Sequence, residues 1–175
     1  LSDLRLDTER LQLRRFCQED FAHVIEWCDD AVANPESEAQ RFLDFCFRQY
    51  EQGGEGPWAI VLKATQKIIG NCGYIGIQQF CGEVNYYVAP QYRGQGLATE
   101  AVRILLDFGF RELGLVRVQA RCAPDNPASE KVLRKIGMKF TGLLDRASGT
   151  GTPSGEKLYS VFRQDFEKRA ELPRD

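Results

Sequence analysis

From Thr8 to Phe16, apolar Leu11, Leu13 and Phe16 alternate with polar neighbours, the period of a half-buried first strand. Asp20 is placed to cap a helix, and Phe21, Val24, Ile25 and Cys28 then recur at helical spacing through Asp29. A loop is expected from Asp30 to Pro35. A second amphipathic helix follows from Glu36 to Glu51, with Phe42, Leu43, Phe45 and Cys46 apolar and Arg41, Asp44 and Arg48 polar. Gly53, Gly54, Gly56 and Pro57 end it.

The period then shortens. Trp58 to Lys63, Lys67 to Ile77 and Glu83 to Val88 are apolar, β-branched or aromatic stretches separated by turn residues, and they predict three adjacent strands. Pro90 closes the last of them. Leu97 to Glu112 returns to helical spacing, with Ala98, Ala101, Val102 and Leu105 on one face and Arg103, Asp107 and Arg111 on the other. Val116 to Cys122 has the clearest alternation in the chain, setting Val116, Val118, Ala120 and Cys122 against Arg117, Gln119 and Arg121. Asn126 fits a helix N-cap, Pro127 the first helical position and Gly137 the C-terminal cap, with Val132, Leu133 and Ile136 as the apolar stripe. Two closing strands, Lys139 to Asp145 and Leu158 to Phe166, flank a Gly-rich loop, and a charged tail runs from Glu167 to Asp175. Nothing repeats at solenoid periods, so residues 1–175 read as one α/β domain with its core in 8–168.

Charge and composition narrow the ligand classes. The formal net charge is −2 with acids and bases interspersed, which argues against a nucleic-acid partner. No apolar run approaches the roughly 18 residues of a membrane-spanning helix. Leu1 to Arg10 lacks the basic and then apolar regions of a secretory signal, so a soluble, cytoplasmic protein with no membrane partner is expected. Cys17, Cys28, Cys46, Cys72, Cys81 and Cys122 show no Cys-x-x-Cys spacing and read as free thiols. With His23 the single histidine, no metal site is expected.

The chemistry concentrates between Tyr87 and Glu100. There a strand ends, a short loop carries Arg93-Gly94-Gln95-Gly96, and a helix opens on Leu97-Ala98-Thr99. Backbone N–H groups without helical partners would gather at such a junction, and the glycines would let a phosphate approach them. A Rossmann fingerprint would need glycine where Thr99 stands and an acid near Gln119, and no P-loop lysine is present. Taken alone, the glycine pair is equally compatible with a tight turn that serves packing.

Arg93-Gly94-Gln95-Gly96-Leu97-Ala98 resembles the pyrophosphate motif of the GNAT N-acetyltransferases, and Asn126, Ser129, Lys135, Gly137 and Met138 resemble a second element of that family. Thr8-Glu9-Arg10-Leu11-Gln12-Leu13-Arg14 followed by Glu19-Asp20 is similar to the opening of the branch containing the ribosomal-protein N-terminal acetyltransferases RimJ and RimL. The resemblance implies a mixed, largely antiparallel sheet with splayed fourth and fifth strands, helices on both faces, and acetyl-CoA as cosubstrate without a metal. It implies that main-chain groups of Tyr87 and Val88 pair with the pantetheine arm. Backbone N–H groups of Arg93, Gly94, Gln95, Gly96, Leu97, Ala98 and Thr99 would hold the pyrophosphate, with Arg93 available for a direct contact. Asn126 would reach the pantetheine, although a plain helix cap explains it equally.

The implied reaction is direct attack of a neutral amine on the thioester through a tetrahedral intermediate. The resemblance makes Glu83 a base, acting directly or through water; the other reading is a surface carboxylate. It assigns Ser129 to the leaving thiolate, by hydrogen bonding or relay, since a hydroxyl is a far weaker acid than a thiol of pKa about 8.5; the other reading is a capping residue. Tyr86, Tyr87 and Tyr92 are acids of the kind many GNAT enzymes use, or strand aromatics. Where the branch often reads Glu-x-Gly-Tyr, this chain has Glu83-Val84-Asn85-Tyr86, so a side chain stands beside the implied acceptor site. The expected acceptor is a protein or peptide N-terminal α-amine. Alternatives are a polyamine or aminoglycoside, whose cation Asp29, Asp30, Glu36 and Glu38 could attract, although solvated surface carboxylates are the commoner reading of such residues, or acetyl-CoA binding without turnover. The apolar last strand leaves a homodimer open.

Overall fold

Thr8 makes the first turn among the described residues, its N–H donating to the Leu11 carbonyl at 2.9 Å while its Oγ1 accepts from the Leu11 N–H at 2.9 Å. The turn joins β1 (Leu6–Asp7) to β2 (Leu11–Arg15), in which Leu11 and Leu13 are fully buried. The two-residue β1 has no counterpart in the expected elements, so the expected fourth and fifth strands become β5 and β6. The structure is a computed structural model and describes residues 4–26, 34–144 and 155–170. The chain divides into two compact units, Leu1–Ile75 with Tyr86–Leu105 and Gly76–Asn85 with Leu106–Asp175. β4 (Lys67–Gln78), β5 (Cys81–Val88) and α3 (Leu97–Arg111) run through both.

In the first unit β2 pairs antiparallel with β3 (Trp58–Leu62), and β3 with β4. The register puts Leu11, Leu13, Trp58 and Ile60 on one face and Ala59, Val61 and Ile68 on the other. The second face carries α1 (Phe21–Glu26) and α2 (Pro35–Glu51), whose Val24, Ala39, Leu43 and Cys46 complete one buried cluster with Phe16. The first face lies under the Leu97–Leu105 part of α3, where Leu97, Ala101 and Leu105 are buried and the Leu105 carbonyl accepts from the Tyr74 hydroxyl at 2.9 Å. β3 is thus apolar on both faces, which explains the unbroken run Trp58–Val61.

In the second unit β5 runs parallel to β6 (Arg117–Cys122) from Cys81↔Arg117 to Val84↔Ala120, and among the described residues the ladder ends there. A parallel pair requires a crossover, and α3 is the helix between them in sequence. β6 pairs antiparallel with β8 (Glu156–Phe162), and β8 with β7 (Lys139–Leu144). The full hydrogen-bonded order is β1-β2-β3-β4-β5-β6-β8-β7, a mixed and mostly antiparallel sheet. α4 (Pro127–Lys135) begins and ends as its sequence predicts. The Asn126 side chain accepts from Ser129 N–H at 3.0 Å, and Gly137, at φ 95°, closes it with Gly137 N–H on Arg134 and Met138 N–H on Leu133.

Several expectations change. Asp20 does not cap α1; its carboxylate is buried, accepts from Cys17 N–H at 2.9 Å and takes both ends of the Arg14 guanidinium at 2.7 and 2.9 Å. Burial works against its charge, yet these partners hold the carboxyl below its ordinary range. Asn34, not singled out by pattern, caps α2 by accepting from Ser37 N–H at 3.0 Å, and Phe45 on that helix is 42% exposed rather than core. β8 stops at Phe162, short of the expected Phe166, and α5 (Arg163–Ala170) follows, with the Arg163 guanidinium on the Leu115 carbonyl at 2.6 and 2.9 Å and Phe166 on Phe110. Residues 167–170 of the expected tail are therefore helical. Asp29 and Asp30, most of the loop before Pro35, the Gly-rich loop after Leu144, and residues 171–175 lie outside the described residues.

Candidate functional site

Three groups carry the residues singled out by the sequence, one in the first unit and two in the second. The first is the strand–loop–helix junction from Tyr87 to Glu100. Its entry depends on Gly70, where a Cβ would lie 2.0 Å from the Tyr87 carbonyl oxygen and 3.0 Å from Val88 Cα. Only glycine lets the end of β5 come this close to β4, and Ala89 N–H donates to the Ile69 carbonyl at 2.9 Å beside it. Pro90–Tyr92 form a single tight turn. Gly94 and Gly96 then take φ 78° and 79°, the left-handed region that side chains resist.

Helical bonding begins with Glu100 N–H on the Gly96 carbonyl at 3.1 Å. Among the described residues, the N–H groups of Gly94, Gln95, Gly96, Leu97, Ala98 and Thr99 have no acceptor. A Cβ on Gly94 would meet nothing within 4 Å, so the loop is open on that side, and residues 93–96 are exposed. Unpaired donors, two left-handed glycines and the positive end of α3 together fit a pyrophosphate. Arg93 turns back from this opening: its Nε donates to the Val88 carbonyl at 2.8 Å and its guanidinium lies 5.5 Å from the Tyr87 ring centre.

The helix start is tied to the first strands through Glu100. Its Oε1 accepts from the Thr8 hydroxyl at 2.6 Å and Arg10 N–H at 2.9 Å, and its Oε2 from Arg10 Nε at 2.7 Å. Partial burial disfavours the charge, but the Thr8 hydroxyl and Arg10 outweigh it and hold the carboxyl below its ordinary range.

The second cluster surrounds Glu83. Parallel register sets Glu83 opposite Gln119, and Arg121 lies two residues along on the same face of β6. Gln119 Nε2 donates to Glu83 Oε2 at 2.9 Å, and Arg121 binds both oxygens, Nε to Oε1 at 2.9 Å and NH2 to Oε2 at 3.2 Å. A carboxylate offers about four acceptor positions, which leaves about one, on Oε1, for water or an amine. In the sequence Gln119 and Arg121 are simply the polar side of β6, and only strand register links them to Glu83.

Asn126 and Ser129 are brought together by the cap bond of α4. Asn126 Oδ1 is thereby engaged, and its amide N–H₂ projects from an exposed residue. Ser129 is half-buried in the first helical turn. Beside it Glu130 binds Lys157 at 2.7 Å and Arg134 at 2.8 Å. Hydrogen bonds from Lys157, Arg134 and the Tyr159 hydroxyl lower the Glu130 carboxyl to about 2.

Glu55, which no motif marked, stands in the Gly-rich turn before β3. Its Oε2 is fully covered and has no hydrogen-bond partner among the described residues, and burial raises its pKa against the pull of Arg15. Burial also pushes the Cys46 and Cys72 thiols up to about 12, well away from nucleophilic thiolates. Among the described residues no helix is long and apolar enough to cross a membrane.

Comparison with known proteins gives these features a context. The family model described as "Acetyltransferase (GNAT) domain" matches residues 10–139. The uncharacterized N-acetyltransferase p20 of Bacillus licheniformis is 30% identical over 92% of this chain and 97% of its own length. Spermidine N(1)-acetyltransferase of Escherichia coli is 32% identical over 35% of this chain and 33% of its own. RimJ of Mycobacterium smegmatis, solved in complex with CoA-disulfide, superposes with a TM-score of 0.73 at 22% identity, covering 94% of this chain and 85% of that one.

Proposed function

Because the chain belongs to the GNAT acetyltransferases and is an N-acetyltransferase acting on an amine, we propose that it takes the acetyl group from acetyl-CoA and delivers it to the N-terminal α-amine of a protein or peptide. The observation that carries the donor is the run of six unpaired N–H groups from Gly94 to Thr99 behind two left-handed glycines. These groups bind the pyrophosphate, and Tyr87 and Val88 offer main-chain groups to the pantetheine arm. The exposed amide of Asn126 is a further donor for that arm. Bound acetyl-CoA supplies an activated thioester carbonyl.

Glu83 receives the amine's proton, directly or through water, at the acceptor position that Gln119 and Arg121 leave on Oε1. An α-amine, with a pKa of about 8, is already partly neutral at physiological pH, whereas a lysine amine near about 10.4 gives up its proton at greater cost. A carboxylate so largely engaged suits the easier proton. The RimJ/RimL-like opening of the chain supports the same acceptor. Ser129 hydrogen-bonds or relays a proton to the departing sulfur, because its hydroxyl is too weak an acid to donate outright.

The partial match to a spermidine acetyltransferase keeps a polyamine as the second reading. Intact-mass detection of acetyl transfer to N-terminal peptides, polyamines, aminoglycosides and free amino acids separates the two. Transfer to peptides is expected, with none to the other amines. Transfer confined to a polyamine overturns the α-amine reading, and tight CoA binding with no product from any amine points instead to a binding protein without turnover.

A further inference from the structure

We propose that Arg10, held in place by Glu100, is a positioning residue that aims the Gly96 N–H at the pyrophosphate of the cofactor. This rests on the acetyl-CoA reading above. Glu100 fixes the plane of the Arg10 guanidinium, with Oε2 2.7 Å from Nε and 2.6 Å from NH2, and Thr8 and the Arg10 N–H fix Oε1 in turn. The remaining nitrogen, NH1, donates to the Gln95 carbonyl at 3.0 Å.

That carbonyl and the Gly96 N–H belong to one planar trans peptide, so they point in opposite directions. Holding the Gln95 oxygen toward Arg10 therefore turns the Gly96 N–H away from Arg10. NH2 lies 3.6 Å from where a Gly96 Cβ would stand, which places the guanidinium directly against this peptide. The arrangement also removes a competitor. A carboxylate in the first turn of a helix ordinarily draws on the free N–H groups there, whereas the Glu100 oxygens are already occupied by Thr8 and Arg10.

The Arg10 side chain is 44% exposed, so the ion pair adds little to folding. Its loss should therefore appear in cofactor binding rather than in melting. The test is calorimetric titration of CoA into wild type, Arg10→Ala and Arg10→Lys, with kcat/KM measured for acetyl-CoA and for S-acetylpantetheine, which lacks the pyrophosphate. In Arg10→Ala the Kd for CoA should rise roughly tenfold, the weight of one charge-assisted hydrogen bond. The preference for acetyl-CoA over S-acetylpantetheine should fall by the same factor. Arg10→Lys keeps the charge without the rigid fork and should lose as much.

An unchanged Kd, an equal loss with both donors, or full rescue by lysine overturns the proposal. If Arg10→Ala does not fold, Glu100→Gln releases the guanidinium plane and carries the same expectations. Wild type that binds no CoA overturns the acetyl-CoA reading and this inference together, whereas wild-type binding that Arg10→Ala matches overturns the inference alone.

Discussion

The glycine loop and the Glu83 cluster are made of different materials. From Gly94 to Thr99 the groups we propose to bind the cofactor are main-chain N–H donors, and side chains serve mainly to hold the path of the backbone. Around Glu83 the group we propose to act is one carboxylate, and its environment comes from two side chains on a neighbouring strand. A backbone site tolerates any side chain that leaves the path alone but fails when a Cβ appears where none fits. A side-chain site tolerates small shifts of path but fails when one functional group changes. The two regions should therefore respond to different substitutions, on different measurements.

The most damaging break in the backbone region is expected at Gly70, outside the loop itself. Gly70→Ala sets a Cβ against the Tyr87 carbonyl and should cost about 3 kcal/mol in denaturant unfolding, together with CoA binding. A loss under about 1 kcal/mol would show that β5 does not depend on that close approach. At the other region, Glu83→Gln keeps the shape and removes the proposed base. A roughly 100-fold fall in kcat/KM is expected in a steady-state acetylation assay, with the Kd for CoA changed by no more than about twofold. A weakened Kd of the same size would end the distinction between the two regions.

Asn126 sharpens the comparison because the side chain that caps α4 is also the one proposed to reach the cofactor. Asn126→Ala should destabilise by about 1 kcal/mol through the lost cap, and Asn126→Ser should recover the stability. If the serine variant still binds CoA several-fold more weakly by calorimetry, the amide acts on the cofactor as well as on the helix.

The smallest effect is a pH dependence beside Ser129. The Glu130 carboxyl sits at about 2 in the folded protein against an ordinary 4.5. A depressed folded value means its contribution is complete above about pH 4.5 and is lost as pH falls toward about 2. The melting temperature of wild type should exceed that of Glu130→Gln at about pH 6, and the gap should close near pH 2. A gap independent of pH would assign the effect to packing.

The alternation of Val118, Ala120 and Cys122, the capping pattern of α4 and the Gly94–Gly96 spacing were all legible in the sequence. Each is a local preference, settled within one turn or one strand by backbone sterics and by hydrogen bonds between near neighbours. The order of strands, the engagement of Glu83 by Gln119 and Arg121, the grip of Glu100 on Thr8 and Arg10, and the ending of β8 at Arg163 were not. Those partners lie some tens of residues apart, and no local pattern encodes which polar residue will face which. A charged side chain reads from sequence as solvated surface, and only the register of strands and the packing of helices turn it into a ligand for a particular carboxylate or carbonyl.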